Sequence, residues 1–360
     1  MANQWFIQDG LLYITGEVNN QQKILGFDLD GTLIKTKSGN KFPKNADDWQ
    51  WLAPNVMATL QHYRQTYQLI IFSNQAGFEK KPQDQSAFIT KMNTIFQQLG
   101  FIIPTYVSTG KNKYRKPSPL MFGQAFPGRH IESFTFIGDA AGRPNDFSDS
   151  DYKFAINVQA YYGITTYFST PEAFFFERTD QPYSLSGFDA STYINPYVNE
   201  LPTPPNQTLI LLVGRPASGK SKIAEKYAAM GYSIVSQDVL GTKAKTLTAA
   251  RQALDNGRSV VVDNTNGNPA NRAEFINLAR SKGVPVEAIL IEIPHDLNQH
   301  LNIIRNILGQ KELIPDVAYR TFDKYYSPPS NNEGISKITT LGFTLHDENP
   351  EFNRLYFLRF

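Results

Sequence analysis

Residues 24–32 of this 360-residue chain read ILGFDLDGT, an apolar strand followed at once by two carboxylates, a glycine and a threonine. Residues 208–221 read TLILLVGRPASGKS, a second apolar strand followed by a glycine-containing turn and a lysine. In open parallel sheets, ligands bind beyond the carboxyl ends of the strands. The two stretches therefore predict two α/β domains, each with a polar site after a core strand.

Strands alternate with amphipathic helices on both sides of these stretches, which argues for mainly parallel sheets covered by helices. The predicted strands are 24–30, 68–74, 103–108 and 133–139 in the first half, and 208–214, 232–238, 258–265 and 286–293 in the second. The predicted helices are 54–66, 84–99, 117–125, 220–230, 242–256 and 269–282. The last predicted strand is thus 286–293.

Four segments are expected along the chain. They are a short N-terminal strand segment at 1–22 with a turn at Asp9-Gly10, an α/β domain at 23–180, a Pro-rich linker at 181–207 and a second α/β domain at 208–360. Prolines interrupt regular elements, and those of the linker alternate with Ser, Asn and Gly.

The composition excludes several classes of protein. There is no cysteine, which rules out disulfide scaffolds, thiolate metal sites and cysteine nucleophiles. The longest apolar runs are far shorter than a membrane span, and the N-terminus lacks the pattern of a signal peptide. We therefore expect a soluble, intracellular protein.

The charge does not point to nucleic acid by itself. The chain has 35 Lys and Arg against 33 Asp and Glu, a net charge of +2. A polyanion site must then be local. The densest cationic run, residues 111–116, is by itself more typical of a solvated loop.

Polar residues end or follow each strand of the first domain. Asp28 and Asp30 leave the first strand, Ser73 ends the second, Lys116 follows the third and Asp139 ends the fourth. A carboxylate can attack a phosphoryl group, and a lysine can neutralise its developing charge. Carboxylate ligands without His or Cys suit Mg²⁺.

This order of residues resembles the haloacid dehalogenase superfamily of phosphatases. The resemblance implies that Asp28 is the nucleophile and Asp30 the general acid and base. It implies that Ser73 and Lys116 hold the phosphoryl oxygens. It also implies that Asp28, Asp139 and the backbone carbonyl of Asp30 hold Mg²⁺. Asp149 is expected at the surface, and the roles of its neighbours Asp146 and Asp151 stay open.

In the second domain, Gly214 to Ser221 fit the pattern Gly-x-x-x-x-Gly-Lys-Ser between a strand and a helix, the context of a phosphate-binding P-loop. The residues expected to bind ATP are Gly214, Ser218, Gly219, Lys220 and Ser221. The backbone N–H groups would hold the phosphates at the helix N-terminus. Lys220 would reach the β- and γ-phosphates, and Ser221 would bind Mg²⁺.

Two acidic residues are candidates for the remaining kinase chemistry, each with a structural alternative. Asp238 can accept the proton of an attacking hydroxyl, or cap the helix predicted at 242–256. Asp263 can help to hold Mg²⁺, or form a turn before Asn264.

In kinases with a P-loop, the cations of the lid lie in the helical region after the last strand. Arg305 and Arg320 are the candidates there, and a surface role is as good an interpretation for each. The five histidines show no metal-ligand spacing and are expected to be structural, namely His62, His130, His295, His300 and His346.

With both halves considered, the chain resembles the bifunctional polynucleotide kinase 3′-phosphatases of DNA strand-break repair. The resemblance covers about residues 23 to 345. It rests on GFDLDGTLIKTKSGNKFPKNADDWQWL, YRKPSPLM and GDAAGRPNDFSDSD in the first half. In the second half it rests on SQDVLGT, VVVDNTN and the spacing from His300 to Arg305. The domain order is that of the eukaryotic-type enzymes.

The resemblance implies hydrolysis of 3′-phosphates through an aspartyl-phosphate at Asp28, and transfer of the ATP γ-phosphate to 5′-hydroxyl ends with Asp238 as base. Arg305 would be a lid cation in that transfer. The implied partners are DNA ends with a 3′-phosphate or 5′-hydroxyl, ATP and Mg²⁺, with no membrane. A monomer in the nucleus is expected.

The chain departs from the animal members, which begin with a forkhead-associated domain. Only about 22 residues precede the first domain, so docking to phosphopeptides is not expected. Gln237 stands before the proposed base where some members have Arg. One alternative function stays open, a fusion of a sugar-phosphate phosphatase with a small-molecule kinase. A non-enzymatic DNA-end-binding protein is disfavoured because every catalytic position is filled.

Overall fold

Two separate sheets organise the chain in the computed structural model. It describes residues 4–16, 19–79, 81, 83–179, 181–193, 200–345 and 349–360. The chain forms two compact units. The first runs to Ala190 and also takes in Ile303–Lys311 and Arg354–Phe360, and the second comprises Ser191–Asn302 and Glu312–Asn353. The predicted segment boundaries stay predictions.

The strands of the first unit are β1 (Phe6–Gln8), β2 (Leu11–Ile14), β3 (Lys23–Phe27), β4 (Ile34–Lys35), β5 (Gln50–Trp51), β6 (Gln68–Asn74), β7 (Thr105–Ser108), β8 (Ser133–Ile137) and β9 (Thr165–Ser169). Its helices are α1 (Val56–Tyr63), α2 (Gln83–Leu99), α3 (Leu120–Ala125), α4 (Ser150–Tyr162) and α5 (Pro171–Phe176).

Seven of these strands form one sheet in the order β1-β2-β7-β6-β3-β8-β9, while β4 and β5 pair separately. The neighbouring strands β7, β6, β3, β8 and β9 all run parallel. The strand β2 runs antiparallel to both of its neighbours, β7 and β1. Alternate residues of β3 face opposite cores. Phe27 lies with α1 and α2 residues such as Leu60 and Met92, whereas Ile24 lies with Phe122 of α3 and Phe154 of α4. Helices therefore cover both faces, as parallel sheets require.

The second unit is built on a five-stranded parallel sheet in the order β11-β12-β10-β13-β14. These strands are β10 (Leu209–Val213), β11 (Ser233–Val235), β12 (Val260–Val262), β13 (Val286–Ile291) and β14 (Lys337–Leu341). The helices of this half of the chain are α6 (Lys220–Ala229), α7 (Gln237–Leu240), α8 (Lys243–Asp255), α9 (Pro269–Ser281), α10 (His295–Ile307), α11 (Asp316–Tyr325) and α12 (Pro350–Tyr356).

The α/β class, the parallel strands and the N-terminal strand pair with its Asp9-Gly10 turn are confirmed. Two predictions in the second half were wrong. The strand predicted at 232–238 ends at Val235 because the chain turns into α7. The strand β13 is not the last, since β14 pairs with it at the edge of the sheet. Parts of the N-terminal segment and the linker, including Pro196, lie outside the described residues.

Candidate active sites

Three carboxylates gather at the carboxyl edge of the first sheet. Asp28 follows β3, Asp139 follows the neighbouring strand β8, and Asp151 lies in the first turn of α4. One carboxylate oxygen from each lies within 4.8 Å of the others. Such a set of oxygen donors fits a hard divalent cation such as Mg²⁺. Asp151, whose role stayed open in the sequence, belongs to this cluster.

The ammonium group of Lys116 enters the same cluster. Its Nζ lies 2.6 Å from Asp28 Oδ1 and 2.7 Å from Asp151 Oδ1, and the lysine is buried. The side chain of Asn74 fixes the lysine backbone, because Oδ1 accepts from Lys116 N and Nδ2 donates to Lys116 O. Asn74 thus positions the lysine.

The electrostatics of the cluster call for a further cation. Burial raises the pKa of Asp28 to about 7, with Lys116 opposing and Asp151 adding to the rise. Burial, Asp28 and Asp151 raise the pKa of Asp139 to about 8. Burial alone would lower the pKa of Lys116, but Asp151 and Asp28 outweigh it and raise that pKa. Three carboxylates face one ammonium group, so a divalent cation would relieve their mutual repulsion.

Glycine is required where the backbone passes these carboxylates. A Cβ on Gly31, whose φ is +88°, would lie 2.4 Å from Asp139 Oδ2. A Cβ on Gly138 would lie 2.5 Å from Asp151 Oδ2. The Asp-Gly pattern after β3 therefore serves the close approach of two acidic side chains.

Asp30 lies at the rim, with its side chain 48% exposed. Its Oδ2 accepts a hydrogen bond from Gln75 Nε2 at 2.6 Å, and the same amide donates to the buried Ser73 Oγ at 3.1 Å. Its Oδ1 lies 3.4 Å from Nζ of Lys91 on α2. Lys91 was missed in the sequence analysis. It could have been found as a lysine on the apolar face that α2 forms with Phe88 and Ile95.

The prediction of a surface position for Asp149 was wrong. Asp149 is buried, and its Oδ2 accepts from Ser186 N at 2.7 Å and Ser186 Oγ at 2.9 Å and pairs with Lys153 at 3.1 Å. Asp146 accepts hydrogen bonds from the backbone of Ala141 and Arg143, and pairs with the Arg143 side chain. The contacts of Asp146 and Asp149 are structural, because their partners shape the loop before α4.

The cationic run at 111–116 was interpreted as a solvated loop, and only part of it is exposed. Lys111 is exposed, but Tyr114 and Lys116 are buried. The second half of the run delivers Lys116 to the carboxylate cluster, so this part of the solvated-loop interpretation was wrong.

The P-loop lies between β10 and α6, as the motif requires. Two of its residues have positive φ, Ala217 at +57° and Gly219 at +90°, which aims successive N–H groups inward. Lys220 is buried, and its Nζ donates to Gly214 O at 3.0 Å, to Arg215 O at 2.6 Å and to Ser218 Oγ at 3.3 Å. The five expected ATP-binding residues form one continuous loop at a helix N-terminus.

Ser221 and Asp263 are brought together. Ser221 Oγ donates to Asp263 Oδ2 at 2.7 Å, although they are far apart in the chain. Asp263 follows β12, and its N–H bonds to Val235 O of β11. The contact with Ser221 favours the Mg²⁺ interpretation of Asp263 over a turn-forming role alone.

Asp238 is exposed in α7, just beyond β11. It does not cap α8, because Thr242 is the N-cap and accepts a hydrogen bond from Lys245 N. The capping alternative is thereby removed. The preceding Gln237 donates its backbone N–H to Asn264 Oδ1 at 2.9 Å.

Arg305 lies half-buried on α10 and Arg320 exposed on α11. On α10, Asn298 donates to Pro216 O in the P-loop at 3.3 Å. Of the histidines, His300 is buried, His62, His130 and His295 are exposed, and His346 lies outside the described residues.

Comparisons with known proteins agree with this arrangement. Residues 23–175 match the family model described as polynucleotide kinase 3 phosphatase, and residues 209–329 match a model described as an AAA domain. A bifunctional polynucleotide phosphatase/kinase of Schizosaccharomyces pombe is 37% identical over 98% of this chain and 88% of its own length. A putative bifunctional polynucleotide phosphatase/kinase of Acanthamoeba polyphaga mimivirus is 30% identical over 98% of this chain and 94% of its own. A polynucleotide 3′-phosphatase of Arabidopsis thaliana is 32% identical over 46% of this chain and 26% of its own length.

The fold and the sites define a chain with a haloacid dehalogenase-like phosphatase half followed by a P-loop kinase half. The chain belongs to the family of bifunctional polynucleotide phosphatase/kinases. The resemblance found in the sequence is therefore confirmed.

Proposed function

We propose that the chain prepares broken polynucleotide ends for ligation. The first unit removes a 3′-phosphate, and the second phosphorylates a 5′-hydroxyl with ATP. The observation that carries the proposal is the buried Lys116 held between the carboxylates of Asp28 and Asp151, in a chain that also has a complete P-loop. Membership of the family supplies the polynucleotide as substrate.

In the phosphatase reaction, Asp28 attacks the phosphorus. A bond from its carboxylate oxygen to phosphorus forms as the bond to the 3′-oxygen breaks. Asp30 gives its proton to the departing oxygen, then takes a proton from the water that cleaves the aspartyl-phosphate. The rim position of Asp30 suits this exchange with substrate and water.

The phosphoryl oxygens are held by Ser73 and Lys116, whose positions are fixed by Gln75 and Asn74. Lys116 offsets negative charge that grows in the transition state. Asp28, Asp139 and the backbone carbonyl of Asp30 would hold Mg²⁺, with Asp151 beside them. The ion would neutralise phosphoryl charge in this desolvated site.

In the kinase reaction, the loop from Gly214 to Ser221 binds the ATP phosphates. Lys220 turns from the loop carbonyls to the β- and γ-phosphates. Ser221 and Asp263 would hold Mg²⁺, which would offset charge on the nucleotide. Asp238 accepts the proton of the 5′-hydroxyl as that oxygen bonds to the γ-phosphorus. Arg305 serves as the lid cation.

Exposed aromatic rings at the phosphatase rim fit a nucleic acid. Phe42 is 74% exposed and Phe147 is 72% exposed, and Lys41 Nζ lies 5.8 and 5.7 Å from their ring centroids. Phe42 is on the loop between β4 and β5, which follows Asp28. Phe147 is on the loop between Asp139 and α4. Bases stack on such rings while a lysine meets the backbone.

We place this activity in DNA strand-break repair, in the nucleus, with the chain acting as a monomer. No helix in the described ranges has the length and apolarity to cross a membrane. Fluorescent tagging tests the compartment, and sedimentation tests the monomer.

One gel assay tests the proposed function. The protein is incubated with ATP, Mg²⁺ and a labelled duplex whose one-nucleotide gap has a 3′-phosphate and a 5′-hydroxyl. We expect both a 3′-hydroxyl and a 5′-phosphate, and the same assay on RNA measures the preference between nucleic acids. If neither product forms while sugar phosphates are hydrolysed, the proposal is overturned in favour of a metabolic fusion.

A further inference from the structure

The buried lysine of α2 has no part in the chemistry described above. Lys91 is 5% exposed and lies among apolar residues of α2 such as Phe88 and Met92. Its Nζ is 5.2 Å from the Phe88 ring centroid. Burying an ammonium group is costly unless it is paired. The position therefore requires an explanation.

Within the described part of the chain, the one hydrogen-bond acceptor of Lys91 is Asp30 Oδ1, at 3.4 Å. The other oxygen of Asp30 accepts from Gln75 Nε2 at 2.6 Å. The two oxygens of a half-exposed carboxylate are thus held from two different elements, α2 and the end of β6. Without these contacts the Asp30 side chain would be free to rotate into solvent.

We propose that Lys91 is a positioning residue that, opposite Gln75, aims the Asp30 carboxyl group at the departing oxygen of the substrate. The inference rests on the proposed phosphatase function and assigns Lys91 to it. In the described residues the ammonium group of Lys91 pairs with Asp30 and not with the proposed nucleophile Asp28, so Lys91 acts through Asp30.

A general acid matters most when the leaving group is a poor one. A 3′-alkoxide needs a proton as it departs, whereas p-nitrophenolate leaves readily without one. If Lys91 acts through Asp30, its loss should slow hydrolysis of a 3′-phosphorylated oligonucleotide much more than hydrolysis of p-nitrophenyl phosphate. A defect in folding or in phosphate binding would slow both alike.

The test is steady-state kinetics of Lys91→Met on both substrates. We expect kcat for the oligonucleotide to fall at least about tenfold, part of the ~10²–10⁴-fold that general acids supply. We expect KM to change little, and kcat for p-nitrophenyl phosphate to fall by much less. Lys91→Arg should recover most of the loss. In an Asp30→Asn background, Lys91→Met should have no additional effect.

The control is Lys23→Met, which removes an exposed lysine–carboxylate pair, 3.5 Å from Glu132, at the other end of β3. It should leave both rates unchanged. Thermal unfolding of Lys91→Met should show no loss of stability, because an apolar side chain replaces a buried charge and the remaining Asp30 is half-exposed.

Equal losses on both substrates, or no loss on either, would overturn the proposal. Failure of the proposed polynucleotide substrate would appear differently, as a wild-type chain that does not hydrolyse the oligonucleotide. The same comparison would then be made with glycerol phosphate as the alkyl ester.

Discussion

At the scale of single residues, we expect recognition of the phosphatase substrate to depend on the exposed rings of Phe42 and Phe147. Base stacking on an aromatic side chain contributes about 1–3 kcal/mol per base. Replacing both by Ala should therefore raise KM for a 3′-phosphorylated oligonucleotide about tenfold or more. Hydrolysis of p-nitrophenyl phosphate should be unchanged, since that ester lacks bases.

The control for this pair is Tyr167→Ala, which removes another exposed aromatic ring, on the edge strand β9. It should affect neither substrate. If the double phenylalanine variant bound oligonucleotide as well as the wild type does, the proposed stacking surface would be wrong.

Glu333 makes the stability of the second unit depend on pH. Its carboxylate accepts two hydrogen bonds of 2.7 Å from the fully buried Arg272. These hydrogen bonds hold the pKa of Glu333 below its usual range. With a depressed pKa, the stabilisation is present above the pKa of the unfolded chain and is lost as the pH falls through that of the folded chain.

Glu333→Gln should accordingly lower the free energy of unfolding by about 3 kcal/mol at neutral pH, because Arg272 stays buried without its counter-ion. The deficit should shrink in acid, where the wild type loses the same charge. Denaturant unfolding of the second unit at both pH values measures this. Glu274→Gln, which breaks the exposed pair with Lys243, should change little, and a deficit that does not vary with pH would contradict the account.

Among single residues, the candidates that follow strands were predictable from the sequence. A carboxylate or lysine directly after an apolar strand rarely has a structural role. Asp28, Asp139 and Lys116 are examples, and the structure brings them together. Lys91 and Asp149 were not foreseen. The burial of Lys91 is indicated only by the apolar face of α2 on which it lies, whereas that of Asp149 depends on a distant serine, which no local pattern encodes.

Among the elements, the turn after β3 depends on Gly31. Ala at this position faces two obstacles, a φ of +88° and a Cβ 2.4 Å from Asp139 Oδ2. Gly39 is a matched control, because its φ is +72° and a Cβ there would meet nothing within 4 Å. Both substitutions should cost ~1–2 kcal/mol in backbone strain.

Gly31→Ala alone should displace Asp139, and a shift of ~1 Å at a catalytic group can cost 10²-fold in rate. Phosphatase kcat should fall by about that factor in Gly31→Ala and stay near wild type in Gly39→Ala. Equal rates in the two variants would show that the close approach to Asp139 does not matter.

The C-terminal residues of the chain are an element of the first unit. The fully buried Asn157 of α4 donates to Arg359 O at 2.6 Å and accepts from Arg359 N at 2.7 Å. It also donates to Pro117 O at 2.9 Å, next to Lys116. Asn157→Ala leaves three partly buried backbone groups without this partner.

That substitution should destabilise the first unit by about 2 kcal/mol or more, since each unsatisfied buried group costs ~1–3 kcal/mol. Removal of Arg359 and Phe360 should have a comparable effect. Thermal unfolding measures both, and Gln159→Ala on the same helix is the control. A first unit as stable as the wild type after both changes would disprove the structural role of the C-terminal residues.

The central strands and the N-terminal strand pair were predictable from the sequence, but the edge strands β9 and β14 were not. The strand β6 was predicted at its observed bounds because it is a continuous apolar run, as a central parallel strand must be. The strands β9 and β14 contain several polar Thr and Ser residues and are mostly half-exposed. Their sequences carry no comparable signal, and only pairing with a neighbouring strand makes them part of the sheet.

For the whole molecule, we infer that two reactions use two independent phosphate sites. The proposed phosphatase residues Asp28 and Lys116 follow strands of the first sheet, and the proposed kinase residues Lys220 and Asp263 follow strands of the second. The chain as a whole is nearly neutral, so substrate attraction must come from local groups at each site.

The most direct test is the gapped-duplex gel assay on Asp28→Asn and Lys220→Ala. The account predicts that Asp28→Asn leaves the 3′-phosphate in place and still phosphorylates the 5′-hydroxyl, and that Lys220→Ala does the reverse. Near-normal 3′-phosphate removal by Asp28→Asn, or loss of both reactions from either substitution, would contradict it.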